Sequence, residues 1–525
     1  MGRTGRGITR DVRRVVQHSH HPVLDRRTGC RGCNSSNLGI RCGQWGVYCC
    51  VLSSRCQRRD RRTHAWTTIA PERPGNCCSQ GAEVSGESSA KRLPDLRHAS
   101  WNFWWLVFDG FVFAFGFTFI SPSSILPVFV ARLTPIDLLA GAVPAIDFVG
   151  LALPQILGAR WAARAARRGG RKRFVLIAAG IGRIPMLAPI VATAVYGDTE
   201  PGIVLASLLI GLGLFRLSEG IVLPAYFDIV GAVVPPPRRA RYFALQQASG
   251  AVGGVASAFG ARWLLANLPF PWGFVTCFAL GTFFVSFVLV VFAQVREPEP
   301  DDPAWAGEGE TEKVGEVVSH PSWWRDLAQI ISSDATFRLL LVGRSLAALA
   351  SMAPAYYAVS AVRRLGASDA DGATFGAVML ASSLTGTLLW GEVAGRYRHT
   401  VLVPVGAFLG ASAALSAIFA PDVVWLLGTF AFVGLAGSAL GMADTALPLA
   451  LAERAGRSRA RYVAAYSTLT VPFAVASPLI GGVIAGAYGY VPVNGIAIVA
   501  YAATAGVGFL MIRQMKVPIP APTAV

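Results

Sequence analysis

Charged residues are scarce in this chain, and their scarcity excludes most classes of soluble protein. Only 15% of the 525 residues are Asp, Glu, Lys or Arg, whereas 53% are hydrophobic. An ordinary soluble domain carries about 25% charged residues. The apolar fraction is also too high for a disordered chain, and the glycines show no three-residue period that would indicate collagen. The composition therefore favours a protein that crosses a membrane several times.

The positive charge is concentrated at one end of the chain. Residues 1–98 contain 18 of the 47 Lys and Arg residues but only 7 of the 30 Asp and Glu residues, so they hold +11 of the formal charge of +17. A strongly basic chain is typical of nucleic-acid-binding proteins. Because most of this charge belongs to an N-terminal extension, no nucleic-acid partner is predicted.

Cysteine is almost absent outside that extension. Eight of the nine cysteines lie in residues 1–98 and the ninth is Cys277, so the rest of the chain is not a disulfide scaffold. Cys30-x-x-Cys33 resembles half of a zinc site, but no second C-x-x-C follows it and no metal site is predicted. The extension lacks the apolar stretch of a signal peptide. Two interpretations stay open: a disordered segment, or residues read from a start codon placed too far upstream.

Long apolar stretches recur from Trp101 onward. Each covers about 20 residues, which is enough for a helix to cross roughly 30 Å of hydrocarbon. Membrane strands are excluded because these stretches lack the apolar–polar alternation of a barrel. Twelve helical spans are predicted, at 103–130, 138–158, 174–196, 202–228, 242–265, 272–295, 337–361, 372–392, 401–420, 423–451, 462–486 and 491–513.

Basic residues in the connecting loops predict the orientation. The loops after even-numbered spans hold sixteen Arg and Lys residues, in 160–173, 238–241, 396–398 and 454–461, whereas the other loops hold few. Positive charge is retained on the cytoplasmic side of a membrane. Both termini are therefore predicted to be cytoplasmic, in a multi-pass protein of the plasma or inner membrane.

The apolar part of the chain divides into two similar halves. Arg239-Ala-Arg-Tyr-Phe-Ala244 opens the fifth span and Arg459-Ala-Arg-Tyr-Val-Ala464 opens the eleventh, with five of six residues identical. The match at equivalent positions predicts an internal repeat. An acidic linker rich in Pro and Gly separates the halves, and Pro321-Ser-Trp-Trp-Arg325 near its end is typical of a short interfacial helix.

The predicted fold class is an all-α polytopic membrane protein with twelve transmembrane helices in two pseudo-repeated six-helix bundles. The predicted domains are an extension (1–98), an N-terminal bundle (99–295), a cytoplasmic linker (296–336), a C-terminal bundle (337–515) and a cytoplasmic tail (516–525).

These features resemble the major facilitator superfamily over about residues 100–515. The loop after the second span keeps the glycine and the basic cluster of a family motif, in Gly158-Ala-Arg-Trp-Ala-Ala-Arg164 and Gly169-Gly-Arg-Lys-Arg173, but lacks its acidic residue. In the fourth span Arg216-Leu-Ser-Glu-Gly220 is similar to the Arg-x-x-Gln-Gly of many proton-coupled members. The resemblance implies a secondary transporter that moves a small solute by alternating access, with a proton as the coupling ion. The candidates for a cytoplasmic gating loop are Gly158, Arg164, Arg171, Arg173, Gly391 and Arg396.

Ionisable groups inside the spans are the candidate functional residues, because charge in hydrocarbon is costly and usually faces a partner in the bundle interior. The candidates for substrate binding or ion coupling are Asp109, Asp147, Arg183, Arg216, Glu219, Arg344, Asp444, Tyr356 and Tyr357. Arg216 and Glu219 lie three residues apart on one helix and are predicted to pair. The pair is either structural or the place where Glu219, or a nearby Asp, takes up a proton. Asp147 or Asp109 is the predicted partner of Arg183, although either acid would also reach an arginine at the membrane surface.

The second half lacks a copy of the ionic motif. Gly437-Ser-Ala-Leu-Gly441 occupies the place of the fourth-span motif, so the coupling chemistry is predicted mainly in the first half. Arg344 is expected to reach towards the shared cavity. Tyr356 and Tyr357 offer either cavity walls or packing.

Other functions have less support from the sequence. Outside the extension the chain holds His320, His399 and Cys277, but no zinc-type cluster, P-loop or nucleophile elbow. No enzymatic activity and no cofactor are therefore predicted, and ATP is not expected to drive transport through this chain. A non-transporting receptor or scaffold stays as the alternative. The lipid bilayer is the predicted partner, and substrate, direction and oligomeric state are not predicted.

Overall fold

A computed structural model describes residues 39–42, 47–50, 56–59, 66–69, 98–166, 170–297, 323–456 and 459–516. The chain separates into two compact units, Met1–Lys91 and Arg92–Val525. Cys30 and Cys33, most of the linker and the C-terminal tail lie outside the described residues.

The first unit contains a small antiparallel sheet. Its strands are β1 (Gly39–Cys42), β2 (Val47–Cys50), β3 (Cys56–Arg59) and β4 (Trp66–Ile69), in the order β1-β2-β3-β4. Cys49 pairs with Cys56 across β2 and β3, and Cys56 pairs with Ile69 across β3 and β4. These strands were not predicted, because four residues are too few to show a clear two-residue period.

The regular secondary structure described in the second unit is helical. Its α-helices there are α1 (Ala99–Thr118), α2 (Ile125–Leu133), α3 (Asp137–Ala152), α4 (Gln155–Ala166), α5 (Arg171–Arg183), α6 (Leu187–Tyr196), α7 (Pro201–Val233), α8 (Pro236–Asn267), α9 (Trp272–Ala293), α10 (Trp323–Ser333), α11 (Ala335–Ala350), α12 (Pro354–Leu365), α13 (Asp369–Arg396), α14 (Leu402–Ile418), α15 (Trp425–Arg454), α16 (Arg459–Tyr488) and α17 (Tyr490–Lys516).

Prolines explain why several spans consist of two helices. Pro122 lies between α1 and α2, Pro154 between α3 and α4, Pro185 between α5 and α6, and Pro354 begins α12 after α11. Proline lacks the backbone N–H that a continuous helix needs. Taken together, α1–α2, α3–α4, α5–α6, α7, α8 and α9 are spans 1 to 6, and α11–α12, α13, α14, α15, α16 and α17 are spans 7 to 12.

The twelve predicted spans and the all-α fold of the membrane body are confirmed. Ten helices in the described part of the chain are long and apolar enough to cross a membrane, and spans 1 and 5 complete the set. The helix predicted after Pro321 is also present as α10, in which Leu327 and Ile330 pack in one apolar cluster with Phe337 of α11.

The two halves repeat each other in packing as well as in sequence. The Phe103 ring of span 1 meets the Tyr242 ring of span 5 edge-on at 6.0 Å between centroids. The Phe337 ring of span 7 meets the Tyr462 ring of span 11 in the same way at 4.8 Å. Each tyrosine belongs to the repeated hexapeptide. The hexapeptide therefore places a buried tyrosine against the first span of its own half.

The halves meet at the ends of the spans opposite the basic loops. We call that the outer side, and the side of the basic loops the basic side. A Cβ at Gly141 of α3 would lie 2.5 Å from the carbonyl oxygen of Pro478 in α16, and one at Gly376 of α13 would lie 2.7 Å from Ser124 Oγ. Because these glycines have no side chain, the halves pack closely here. The arrangement is closed on its outer side.

Candidate functional site

Span 4 is the centre of the candidate site, and two glycines set its position. A Cβ at Gly150 of span 2 would lie 2.6 Å from Arg216 Cβ, and a Cβ at Gly182 of span 3 would lie 2.1 Å from Ser218 Cβ. Span 4 therefore approaches both neighbouring spans closely. One of its faces presents Arg216 to span 2, and the adjacent face presents Glu219 to span 3.

The ions of the first half pair between helices. Arg216 Nε lies 2.6 Å from Asp147 Oδ1, and Arg183 Nη1 lies 2.9 Å from Glu219 Oε1. The predicted pair of Arg216 with Glu219 is therefore wrong, as is the prediction that Arg183 pairs with Asp147 or Asp109. The sequence spacing shows that the two span 4 side chains are neighbours, but the helices on either side decide their partners.

Aromatic rings surround these two arginines. Arg216 lies over the Phe117 ring at 5.1 Å, and Arg183 lies over the Phe215 ring at 5.7 Å. Both arginine residues are almost fully buried, at 7% exposure. A ring face attracts a cation, and the attraction is larger where water is excluded. Paired acids and aromatic faces together compensate for the burial of the arginines.

Asp109 is in a different electrostatic position. It is 4% exposed, and its Oδ2 accepts a hydrogen bond from the Tyr226 hydroxyl at 3.1 Å. Its Oδ1 is buried and accepts no hydrogen bond from any residue that the structure describes. Nor does an Arg, Lys or His nitrogen lie within ion-pair distance of it in that part of the chain. Asp109 is thus a buried carboxyl group with a hydroxyl donor but no paired cation.

Polar side chains from spans 4 and 5 extend this arrangement. Gln246 Nε2 donates a hydrogen bond to the Tyr226 hydroxyl at 2.8 Å. The Tyr226 and Tyr242 hydroxyl oxygens lie 3.3 Å apart, and Tyr242 is fully buried. Sequence reasoning missed these three residues. The available signal was the tyrosine in the repeated hexapeptide.

The candidate ions of the second half, Arg344 and Asp444, form an ionic cluster. Arg344 Nε lies 3.0 Å from Asp444 Oδ2, and the Tyr466 hydroxyl donates to Asp444 Oδ1 at 2.5 Å. This pair is more accessible than those of the first half, with side chains 27% and 24% exposed. At Gly437 and Gly441 an added Cβ would meet nothing within 4 Å. Span 10 nevertheless approaches both of its neighbours closely elsewhere, because a Cβ at Gly386 of span 8 would lie 2.2 Å from Ser438 Oγ and one at Gly406 of span 9 would lie 2.7 Å from Leu440 Cγ.

Tyr356 and Tyr357 occupy packing positions. The Tyr356 hydroxyl donates to the Pro478 carbonyl oxygen at 2.5 Å and lies where a Cβ at Gly141 would be, so Tyr356 fills the contact between the halves. Tyr357 is buried and its ring meets Phe430 edge-on.

The gating-loop candidates do not form one cluster. A Cβ at Gly158 would lie 2.2 Å from the Ile221 carbonyl oxygen, whereas Gly391 faces open space. Arg396 Nε pairs with Glu392 of its own helix at 2.7 Å. Arg171 is buried, while Arg164 and Arg173 are exposed. Gly158 is therefore a packing residue between spans 2 and 4.

Sequence reasoning missed Lys172 in the same loop. Its Nζ donates to the carbonyl oxygens of Ala293 and Val295, each at 2.6 Å, and its backbone N–H donates to Glu297 at 2.7 Å. A lysine suits the last carbonyl groups of a helix. Burial raises the pKa of the Glu297 carboxyl group, while the hydrogen bond and charge of Lys172 oppose that rise. These hydrogen bonds join the basic loop to the end of span 6.

Sequence reasoning also missed ion pairs that join the halves on the outer side. Arg363 of span 7 pairs with Asp137 of span 2, which also accepts a hydrogen bond from the Tyr490 hydroxyl at 2.8 Å. Arg132 Nε lies 2.8 Å from Asp369 Oδ1. The outer loops hold few arginines, and these two meet acids of the opposite half. Ionic as well as apolar contacts therefore close the outer side.

Two repeated six-helix bundles with paired ions in their interior define the architecture of a secondary transporter. The chain belongs to the Major Facilitator Superfamily, whose sequence model matches residues 106–471. It is a multi-pass membrane protein that moves a small solute by alternating access. No curated protein sequence matches the chain.

Solved structures share the fold. A bacterial homologue of the human lysosomal transporter Spinster, in an inward-facing and unoccupied conformation, is 19% identical with a TM-score of 0.56, covering 81% of this chain and 99% of that one. The nucleoside transporter NupG is 11% identical with a TM-score of 0.55, covering 79% and 99%. The fucose:proton symporter of E. coli is 14% identical with a TM-score of 0.51, covering 80% and 99%. At these identities the similarity shows the fold.

Proposed function

We propose that this transporter couples solute movement to protons and that Asp109 is the group that binds the proton. The observation that carries the proposal is a count of charges. The candidate ions of the first half are three acids and two arginines, and the arginines pair with Asp147 and Glu219. Asp109 is the candidate carboxyl group that neither arginine pairs with.

The energetics favour proton binding at this carboxyl group. A buried, unpaired charge in a membrane interior costs several kcal/mol. Protonation of Asp109 removes its charge and leaves the two ion pairs intact. When the halves rock, the side from which water reaches Asp109 changes, so the carboxyl group gains a proton facing one side and loses it facing the other.

The contacts of Glu219 favour a different role. Its carboxyl group pairs with Arg183 at 2.9 Å, so a cation already compensates its charge. We therefore assign the proton to Asp109, which was the alternative to Glu219 in the sequence interpretation. Glu219 holds the position of Arg183 beside it.

The remaining assignments rest on the same proposal. We assign the basic side to the cytoplasm and the protein to the plasma or inner membrane, because the positive loops all lie on that side. No enzymatic reaction, prosthetic group or metal is assigned to the chain, and its partner is the lipid bilayer.

The test is transport by the full chain in proteoliposomes. A panel of radiolabelled solutes is followed under an imposed pH gradient, and then without a gradient as exchange of solute for solute. Asp109→Asn is expected to abolish pH-driven accumulation while exchange continues, because the substituted group cannot lose a proton. Glu200→Gln is a matched control, since Glu200 is exposed near the outer end of span 4.

Two results would contradict the proposal. If Asp109→Asn accumulates solute under the pH gradient as well as the unsubstituted protein does, Asp109 is not the proton-binding group. If no solute in the panel moves under any gradient, the receptor alternative gains support.

A further inference from the structure

A chain of hydroxyl groups leads from Asp109 towards the basic side. Tyr226 lies between Asp109 and Tyr242, with oxygen distances of 3.1 Å and 3.3 Å. Tyr242 follows Pro236, the first residue of α8 at the basic side, by six residues, or about 9 Å of helix rise. The repeated hexapeptide thus places a buried hydroxyl between the membrane surface and the carboxyl group.

Hydrogen-bond capacity fixes the direction of the chain. A tyrosine hydroxyl group has one proton to donate and two lone pairs that accept. Gln246 donates to the Tyr226 oxygen, and the proton of Tyr226 is directed to Asp109. The remaining lone pair faces Tyr242, so Tyr242 is the donor to Tyr226. Every proton in the chain therefore points towards the carboxylate.

We propose that Tyr242 and Tyr226 relay protons between the basic side and Asp109. This inference rests on the proposed role of Asp109. In loading, Tyr226 gives its proton to Asp109 Oδ2, and Tyr242 gives its proton to the Tyr226 oxygen. Tyr242 is buried in this structure, so the last step, in which a hydronium ion gives a proton to Tyr242, takes place when rocking of the halves admits water from the basic side. Three O–H bonds break and three form. One positive charge is transferred, and both tyrosines end neutral.

Charged groups around Asp109 belong to the same half. The Arg183–Glu219 pair lies near enough to act electrostatically on Asp109, and its two charges oppose each other. The Phe292 ring of span 6 packs against Tyr226 at 5.6 Å between centroids. The relay is thus bordered by an apolar ring and by an ion pair whose two charges compensate each other.

The second half provides a matched control. Tyr462 occupies the place of Tyr242 in the repeated hexapeptide, and its hydroxyl donates to Asp334 Oδ2 at 3.0 Å. Asp334 is the N-cap of α11 and accepts a hydrogen bond from the Phe337 N–H. The tyrosine of the hexapeptide therefore stabilises the N-terminus of a helix in the second half. In the first half the equivalent tyrosine contacts Tyr226, which donates a hydrogen bond to Asp109.

The experiment follows the carboxyl absorption of Asp109 by time-resolved infrared spectroscopy after a pH jump, in the full chain reconstituted in lipid. Loss of the band in Asp109→Asn identifies it. Tyr242→Phe and Tyr226→Phe are expected to slow the rise of the band at least about tenfold, with the same final amplitude. Tyr462→Phe is expected to leave the rate unchanged.

The outcomes separate the relay from the proposed function. If Tyr242→Phe and Tyr226→Phe both keep the original rate, or if Tyr462→Phe slows it equally, the relay is overturned while Asp109 stays the proton-binding group. If the unsubstituted protein shows no band that depends on Asp109, the proposed function fails first. Should Tyr242→Phe not fold, Tyr226→Phe alone decides.

Discussion

The two halves share one fold but treat their buried ions differently. In the first half span 4 is held between Gly150 and Gly182, and its two ions reach partners on both sides. In the second half span 10 is likewise approached by Gly386 and Gly406 of its neighbours, but Gly437 and Leu440 stand in the place of the two ions. Asp444 of span 10 pairs instead with Arg344 of span 7. Duplication preserved the helices and the hexapeptide, while the ionic pattern belongs to each half separately.

The difference assigns separate tasks to the halves. The candidate ions of the first half are three acids and two arginines, so under the proposed function the unpaired acid, Asp109, is neutral when it binds a proton. The second half has a balanced cluster in which Asp444 already has a cation and a hydroxyl donor. Under the proposed function, proton chemistry belongs to the first half, and the more exposed Arg344–Asp444 pair is a polar feature that the second half contributes.

The largest effect is expected from reversing one charge of the first half. Arg183→Glu places a second carboxylate beside Glu219, and breaking a buried pair costs about 3–5 kcal/mol. We expect loss of folded protein and of transport. The double variant Arg183→Glu with Glu219→Arg should recover both, as measured by thermal unfolding and solute flux. A double variant no better than the single one would show that the pair is not what holds these side chains.

Smaller effects are expected from adding methyl groups at the glycines. Gly150→Ala and Gly182→Ala force span 4 away from its neighbours, and overpacking costs typically about 1–3 kcal/mol. Gly437→Ala and Gly441→Ala are the matched controls, because the added Cβ meets nothing within 4 Å. They should leave the Tm unchanged or raise it, since alanine favours a helix. Equal losses for the two control variants would show that the close contacts at Gly150 and Gly182 do not determine the effect.

The ion pair of the second half should be less costly to break. Arg344→Met leaves Asp444 with the Tyr466 hydroxyl and partial access to solvent, so we expect a loss of about 2 kcal/mol, between the values for exposed and buried pairs. Thermal unfolding of this variant and of Arg216→Met tests whether breaking the first-half pair costs more stability than breaking the second-half pair. A larger loss for Arg344→Met would make the second half the more tightly coupled one.

The smallest effect is expected for the hydroxyl group of that cluster. Tyr466→Phe removes one hydrogen bond to Asp444 and keeps the ring, which costs about 1 kcal/mol. Both Tm and pH-driven transport should change little, since Arg344 still pairs with Asp444. Strong loss of proton coupling in Tyr466→Phe would place a second proton site in this half.

Helix positions followed from the sequence because twenty apolar residues leave few alternatives in a membrane. The membership of Asp109, Arg183 and Arg216 among the buried ions followed for the same reason. Their partners did not follow, because Gly150 and Gly182 bring together residues far apart in the chain. The contact of Arg363 with Asp137 and the hydroxyl chain at Tyr226 were also missed, because they too join residues that are far apart in the chain. Such contacts depend on helix neighbours rather than on spacing along one helix.

The hydrogen bond between the Lys172 N–H and Glu297 has a consequence for how far the two halves can move apart. The linker leaves the first half at Glu297, and α10 packs against Phe337 of the second half. Residues 298–322 connect these two anchors, and a chain of that length reaches at most about 85 Å. The connection therefore limits the separation of the two anchors to that distance, and it keeps the mutual concentration of the two halves high.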